Sequence, residues 1–314
     1  HTSGRKIGKN LGFCYNPIFI ALGEVVQGLL EPDYLLLGGS DTKASNLALA
    51  MHKPLIKKQP PIVRMLPIEA EITKIASNTH ETMRVSFANM LCALCSEIPG
   101  TNVDNITGAL SHRMGKRFFK GATPYGGPCW PRDNLALAAF MDTVGLSSVM
   151  PRTIDLYNSQ YARFIFHRLL KITQRGTKVG LLGLAYKPGT PTTDRSFGLD
   201  LASWLVAKGR QVFVWDPLAM KEAHRILADK VIYAKSGDKC LQLAEVIIIV
   251  NAMGELEKLD WIRVTDRPVL DCWRCLSKEQ IAKLKDYQPL GRGSNDKPTL
   301  MDKIYVDRLH ALIK

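Results

Sequence analysis

From residue 68 to residue 98 the chain carries neither glycine nor proline, a run of about 30 residues opened by Pro67. Within it Ile72, Ile75, Met83, Phe87, Met90, Leu91 and Leu94 recur at helical spacing. A helix of that length is about 45 Å long and needs partners along its whole face. Further helices are predicted over about 103–110, 134–144 and 153–173. Residues 67–175 therefore read as an all-helical middle domain whose long helices are candidates for a dimer interface.

Both flanks alternate strand and helix. Residues 1–66 predict strands at 11–15 and 34–37, a helix at 22–30, and another from Asp41 to about Met51. Two strands cannot bury both faces of an α/β sheet, so this piece reads as the remnant of an N-terminal Rossmann domain. The opening residues lack both an initiator methionine and the apolar core of a signal peptide, which suggests further sequence upstream. From Lys178 a second α/β pattern begins, with an apolar strand over 179–185 that ends at Gly183 and a helix over 196–208. A strand over 211–214 closed by Asp216-Pro217, a helix near 221–227 and strands at 246–250 and 269–270 follow. Residues 176–314 thus predict a Rossmann-like C-terminal domain with an open parallel sheet. The tail, about 285–314, carries a Gly291-Arg292-Gly293 turn and a predicted terminal helix. Gly180-x-x-Gly183-x-Ala185 only approaches the GxGxxG pattern, and Tyr186-Lys187-Pro188 fills the turn. The outline suits a nucleotide crevice with or without nicotinamide.

Lysine and arginine number 42 against 29 acidic residues, a formal charge of +13. The excess favours anionic partners. The basic residues are scattered, with no block of five or six, which argues against a nucleic-acid groove. No apolar run approaches the roughly 18 residues of a membrane span. The seven cysteines, an odd count, point to reduced thiols and a cytoplasmic setting. Cys92/Cys95 and Cys272/Cys275 are CxxC pairs spaced too far apart for a four-cysteine zinc site, and no metal is expected. The first pair lies on one face of the long helix and reads as core packing.

The chemically richest stretch is 121–133, where three glycines and three prolines surround Cys129, followed by Arg132 and Asp133. A helix read from Asn134 puts Asp133 at its N-cap. Cys129 beside Arg132 and ahead of a helix N-terminus has surroundings that favour thiolate. Local physics leaves two readings open, a reactive cysteine or a proline-rich turn around a buried one.

Taken together, the motifs resemble the UDP-glucose/GDP-mannose dehydrogenase family, NAD-dependent nucleotide-sugar 6-dehydrogenases. The resemblance is carried by Asn16-Pro17-x-Phe19, Pro32-Asp33, Ala70-Glu71-x-x-Lys74-x-x-x-Asn78 and the stretch from Arg113 to Asp133. It continues through Leu182-Gly183-Leu184-Ala185-Tyr186-Lys187, Asp216-Pro217 and Asp271-x-x-Arg274. It implies a three-part enzyme with boundaries at 1–66, 67–175 and 176–314. The implied reaction oxidises a UDP-sugar C6 alcohol to the uronic acid with NAD, through a cysteine thiohemiacetal and thioester. By the same resemblance Cys129 is the nucleophile, Lys74 and Asn78 stabilise the oxyanion, and Asp133 assists proton transfer or positions water. Arg113, Phe118, Lys120, Tyr125, Gly126, Trp130, Tyr186 and Lys187 hold the substrate, Arg274 reaches a substrate in the partner subunit, and Arg132 lies toward NAD. The implied partners are a UDP-sugar or GDP-mannose and a second copy of the chain.

Three positions depart from the family pattern. Ile18 replaces a glutamate associated with thioester hydrolysis, and Leu22 replaces a second acid. The segment 190–196 displaces the acid and arginine of T-x-D-x-R-x-S. A non-catalytic nucleotide-sugar-binding or assembly subunit is the alternative these departures motivate.

Overall fold

A computed structural model describes residues 3–294. The expected terminal helix lies outside them. The elements in chain order begin β1 (Cys14–Tyr15), α1 (Val25–Leu30), β2 (Leu35–Gly39), α2 (Thr42–His52), β3 (Ile62–Met65) and α3 (Pro67–Glu97). Then come α4 (Val103–Met114), α5 (Trp130–Thr143), α6 (Val149–Ile172), β4 (Lys178–Leu182), α7 (Phe197–Ala207), β5 (Gln211–Trp215) and α8 (Met220–Leu227). The described chain closes with β6 (Ile232–Tyr233), α9 (Gly237–Leu243), β7 (Val246–Ile249), β8 (Val269–Asp271), α10 (Lys278–Ile281) and β9 (Tyr287–Pro289). They fall into two compact units, His1–His80 with Arg132–Arg152, and Glu81–Pro131 with Thr153–Lys314.

The first unit holds a three-stranded sheet in the order β1-β2-β3. Its central strand β2 buries Leu35, Leu36 and Leu37. β3, absent from the sequence reading, runs parallel to β2, whereas β1 is antiparallel to it. The expectation of two strands is corrected to three. β3 escaped because only four residues separate Pro61 from the Leu66-Pro67 entry to α3, too few for a pattern. Asp41 caps α2 as expected, its Oδ1 accepting the N–H of Ala44 at 2.8 Å.

The second unit is built on a six-stranded parallel sheet in the order β6-β5-β4-β7-β8-β9. Alternation along β4 sends Val179 and Leu181 into one core with Leu201, Leu205, Ile165 and Leu169. Leu182 goes into the other with Cys240, Leu241 and Trp261. Cys92 and Cys95 are packed in the first of these cores, as expected of thiols on an apolar helix face. The order reverses direction at β4, which puts a crevice outside the carboxyl ends of β4 and β7. Among the described residues no helix is long and apolar enough to cross a membrane, and no cluster of three or more His, Cys, Asp or Glu side chains could hold a metal.

Candidate active site

The loop 121–129 between α4 and α5 is buried from Gly121 to Gly127 and surfaces at Pro128 and Cys129. A buried loop must find partners for its own peptide groups, and here helix side chains supply them. Asn89 of α3 accepts the Ala122 N–H at 2.8 Å and donates to the Thr123 carbonyl at 3.2 Å. Asn158 of α6 accepts from Tyr125 N–H at 3.0 Å and returns a bond to the Tyr125 carbonyl at 2.9 Å. The Tyr161 hydroxyl donates to Ala122 at 2.7 Å, and the Tyr125 hydroxyl donates to Asp155.

Two glycines let the loop lie flat against the next layer. A Cβ on Gly126 would stand 2.2 Å from the Arg195 carbonyl oxygen, and one on Gly127 2.7 Å from the Tyr186 ring. Gly127 also takes φ +85° and donates to the Asp194 carbonyl at 2.9 Å. Burial, with added contributions from Cys129 and Asp194, pushes the Tyr186 phenol up to about 12, so it remains a neutral donor beside the thiol.

Cys129 itself is exposed and precedes the first residue of α5. The expected helix start at Asn134 is corrected. α5 begins at Trp130, because Pro131 falls in the first turn, where no N–H is required of it. Asp133 is accordingly a first-turn acid rather than the N-cap, and the cap position falls to the cysteine. Trp130 donates from Nε1 to Glu81 at 3.2 Å and meets Phe118 and Tyr125 edge-on, with ring centroids 5.2 and 5.9 Å apart. Phe118, at φ +55°, turns its ring under the Arg117 guanidinium. Cys129, Phe118, Tyr125, Gly126, Trp130 and Tyr186 therefore gather in one neighbourhood of the second unit.

In the same unit Lys187 lines a cleft of about 230 Å³ with Thr190, Asp216, Leu218, Met253 and Glu255. Arg113 and Lys120 are exposed cations. Arg274 is placed otherwise than expected. Its side chain is 1% exposed. It clamps Asp104 through Nε and Nη2, each at 2.9 Å, and donates to the carbonyls of Leu290 and Gly121 at 2.7 Å. A guanidinium so fully used inside its own chain does not extend to a neighbour's substrate. Burial raises the Asp104 carboxyl, but the Arg274 fork outweighs it and holds the pKa below the usual carboxylate range.

The remaining predicted groups belong to the first unit. Asp133, 5% exposed, accepts from Asn78 Nδ2 at 2.6 Å on one oxygen and from Arg132 Nε at 2.8 Å on the other. Lys74, one helical turn before Asn78, donates to the Ile18 carbonyl at 3.2 Å and lies 4.6 Å from the centre of the Phe19 ring. The position where the family carries a glutamate thus meets the lysine through its backbone.

At two strand-to-helix turns, β2–α2 and β4–α7, a carboxylate already engages backbone amides. Asp41 occupies the first turn of α2. Asp216 takes the amides after β4, with Leu184 and Ala185 donating at 2.8 and 3.0 Å. Those two turns therefore do not form a pyrophosphate cradle.

Residues missed in the sequence are Asn89, Asn158, Tyr161, Asp155, Asp104 and Asn251. Asn251 donates to the Ala185 carbonyl at 2.7 Å. Asn89 and Asn251 stand out as polar residues in apolar surroundings, whereas the others lie among polar neighbours and gave no signal.

A parallel sheet with a crevice at its switch point, and in the same unit a surfaced cysteine at a helix start, define an α/β fold of the class whose ligands sit at the carboxyl ends of the strands. Residues 68–160 match the central domain of the UDP-glucose/GDP-mannose dehydrogenase family, and residues 180–278 match its UDP binding domain. The chain belongs to that family. It is 27% identical over 285 residues to a UDP-glucose 6-dehydrogenase, AglM, of Haloferax volcanii, covering 89% of this chain and 66% of the relative. A UDP-glucose dehydrogenase structure from Pyrobaculum islandicum superposes with a TM-score of 0.81 at 29% identity, covering 90% of this chain and 64% of that one. A UDP-D-ManNAc dehydrogenase from Pyrococcus horikoshii shares the fold, with a TM-score of 0.73 at 19% identity over 94% and 68% of the two chains. The chain spans about two thirds of the length of these relatives.

Proposed function

We propose that this chain carries the thiol and nucleotide-sugar parts of an NAD-dependent nucleotide-sugar 6-dehydrogenase, which oxidises the C6 alcohol of UDP-glucose or a related UDP-hexose to the uronic acid. The observation that carries the reading is Cys129, exposed at the start of α5 at the end of a loop that is otherwise buried and anchored. A sulfur held in that way can meet an outside electrophile without the loop moving.

The sulfur adds to the carbonyl carbon of the C6 aldehyde, forming the C–S bond of a thiohemiacetal. Lys74 and Asn78 are proposed to stabilise the alkoxide that develops, as cation and amide donor. After the carbon has lost two further electrons it is a thioester. Water then adds, the C–S bond breaks, the sulfur leaves as thiolate and the carboxylate is released, with Asp133 positioning the water or taking its proton. NAD is the proposed electron acceptor, with Arg132 toward it. Arg113, Phe118, Lys120, Tyr125, Gly126, Trp130, Tyr186 and Lys187 are proposed to bind the sugar nucleotide, Arg113 and Lys120 meeting its diphosphate.

We extend the proposal to a three-domain division at 1–66, 67–175 and 176–314, to homodimerisation through the long helices, and to a cytoplasmic setting. The seven free thiols support the last of these.

Assay of the full-length protein with UDP-glucose and NAD tests the reading. Cys129→Ser should lower uronate formation by about a thousandfold or more while retaining UDP-glucose binding. Unchanged uronate yield in that variant would remove Cys129 from the mechanism. A wild type that binds UDP-glucose and forms no uronate would instead favour the non-catalytic subunit, in which the Lys74 ammonium stays with the Ile18 carbonyl.

A further inference from the structure

The second unit has the outline of a dinucleotide fold with its phosphate position already filled. In such crossings a pyrophosphate is held by unspent N–H groups of the turn after the first strand and by the following helix N-terminus. In this chain the corresponding donors, Leu184 and Ala185, both point at Asp216 Oδ2. The second oxygen, Oδ1, takes the N–H groups of Leu218 and Ala219 at 2.9 and 2.8 Å. Asp216 is buried, and four backbone donors converge on its carboxylate as they would on phosphate oxygens.

The backbone around it is closely packed. Gly198 lies in the first turn of α7, and a Cβ there would stand 2.4 Å from the Gly183 carbonyl oxygen. The helix therefore packs directly against the strand end. Gly183 takes φ +110° with Asn251 packed against its α-carbon. The Ser196 hydroxyl ties the N-cap of α7 to the Leu184 carbonyl at 2.6 Å.

We infer that Asp216 is a specificity-determining residue: its carboxylate is a built-in anion that occupies the phosphate position of the β4–α7 crossing and bars a dinucleotide pyrophosphate from it. The inference rests on the nucleotide-sugar reading of this unit and adds where the ligand's phosphates do not go. The cleft beside the crossing offers Asp216 and Glu255 carboxylates against the single cation Lys187. A diphosphate placed there meets like charge, whereas an uncharged base or sugar does not. The uncharged end of the ligand therefore enters the cleft and the phosphates stay outside it.

Amide NMR on the full chain tests this. Inorganic pyrophosphate and NAD should leave the resonances of Leu184, Ala185, Leu218 and Ala219 unmoved in the wild type; shifts at these four amides would show an open site and overturn the inference. Asp216→Gly removes a fragment equivalent to acetate, and strands four buried donors. Its Tm should fall by roughly 5–10 °C. Sodium acetate, compared with sodium chloride at equal ionic strength, should recover at least half of that loss and shift the same four amides. A packing role alone gives no acetate rescue, and its absence in a folded variant would sink the idea. Where the glycine variant does not fold, the wild-type titration decides the question by itself. Titration of the wild type with UDP-glucose is a separate arm, since failure to bind would count against the nucleotide-sugar reading and leave the pyrophosphate and acetate arms unaffected.

Discussion

Asp133 shows how one carboxylate can be held by two bonds of unequal worth. Its Arg132 partner is 66% exposed along the side chain, so water and salt screen that pair. Asn78 is buried, and its amide donates to the other oxygen at 2.6 Å. Asn78→Ala leaves a buried carboxylate oxygen without that donor and is expected to cost roughly 1–3 kcal/mol. Arg132→Ala is expected to cost less than about 1 kcal/mol. Urea midpoints at unchanged slope measure both. Equal losses in the two variants would mean that the exposed arginine holds Asp133 as firmly as the buried amide does.

At the scale of elements, the loop 121–129 declared itself in the sequence and its anchors did not. Glycine and proline spacing around Cys129 marked a tight, close-packed turn, because those residues are needed wherever backbone approaches backbone. Asn89 and Asn158 are amides within helices that carry other polar residues, and such an amide reads as solvated until the partner layer is known. The helix starts at Trp130 rather than Asn134 because Pro131 suits a first turn as well as a loop. Long helices and the strands of β4, β5 and β7 were legible from periodicity over many residues. β6 and β9, at two and three residues, carry no period to read. The placement of Arg274 was illegible for another reason, since its partner Asp104 lies 170 residues away along the chain. If the anchors set the loop, Asn158→Ala should remove a hydrogen bond from each peptide group of Tyr125, at a cost of roughly 2–4 kcal/mol. Hydrogen exchange at the Tyr125 amide should then accelerate well beyond any change in global stability. An unaltered exchange rate would show that the loop holds its shape without Asn158.

For the whole molecule, the open question is what covers the apolar surface left on the helices. Phe87, Met90 and Leu94 form a stripe on α3 at i, i+3 and i+7, between 40% and 53% exposed. Leu156 on α6 is exposed in the same unit, and Ile72, Leu135 and Phe140 are exposed in the first. Covering the half-exposed α3 stripe contributes roughly 1 kcal/mol per side chain, or about 6 kcal/mol for two copies. Association costs on the order of 4–15 kcal/mol, so the stripe alone gives no stable dimer, and the proposed homodimer requires the other exposed side chains as well. The formal charge of +13 opposes pairing of identical chains, and salt screens that repulsion. The expected behaviour is a dimer at micromolar concentration that tightens as salt is raised. Leu94→Glu puts an unpaired charge into the covered stripe and should weaken the dimer about tenfold or more. Sedimentation equilibrium at two salt concentrations checks both statements, and a wild type that remains monomeric at roughly 100 μM, far above a micromolar Kd, would end the homodimer proposal and require another partner for these faces.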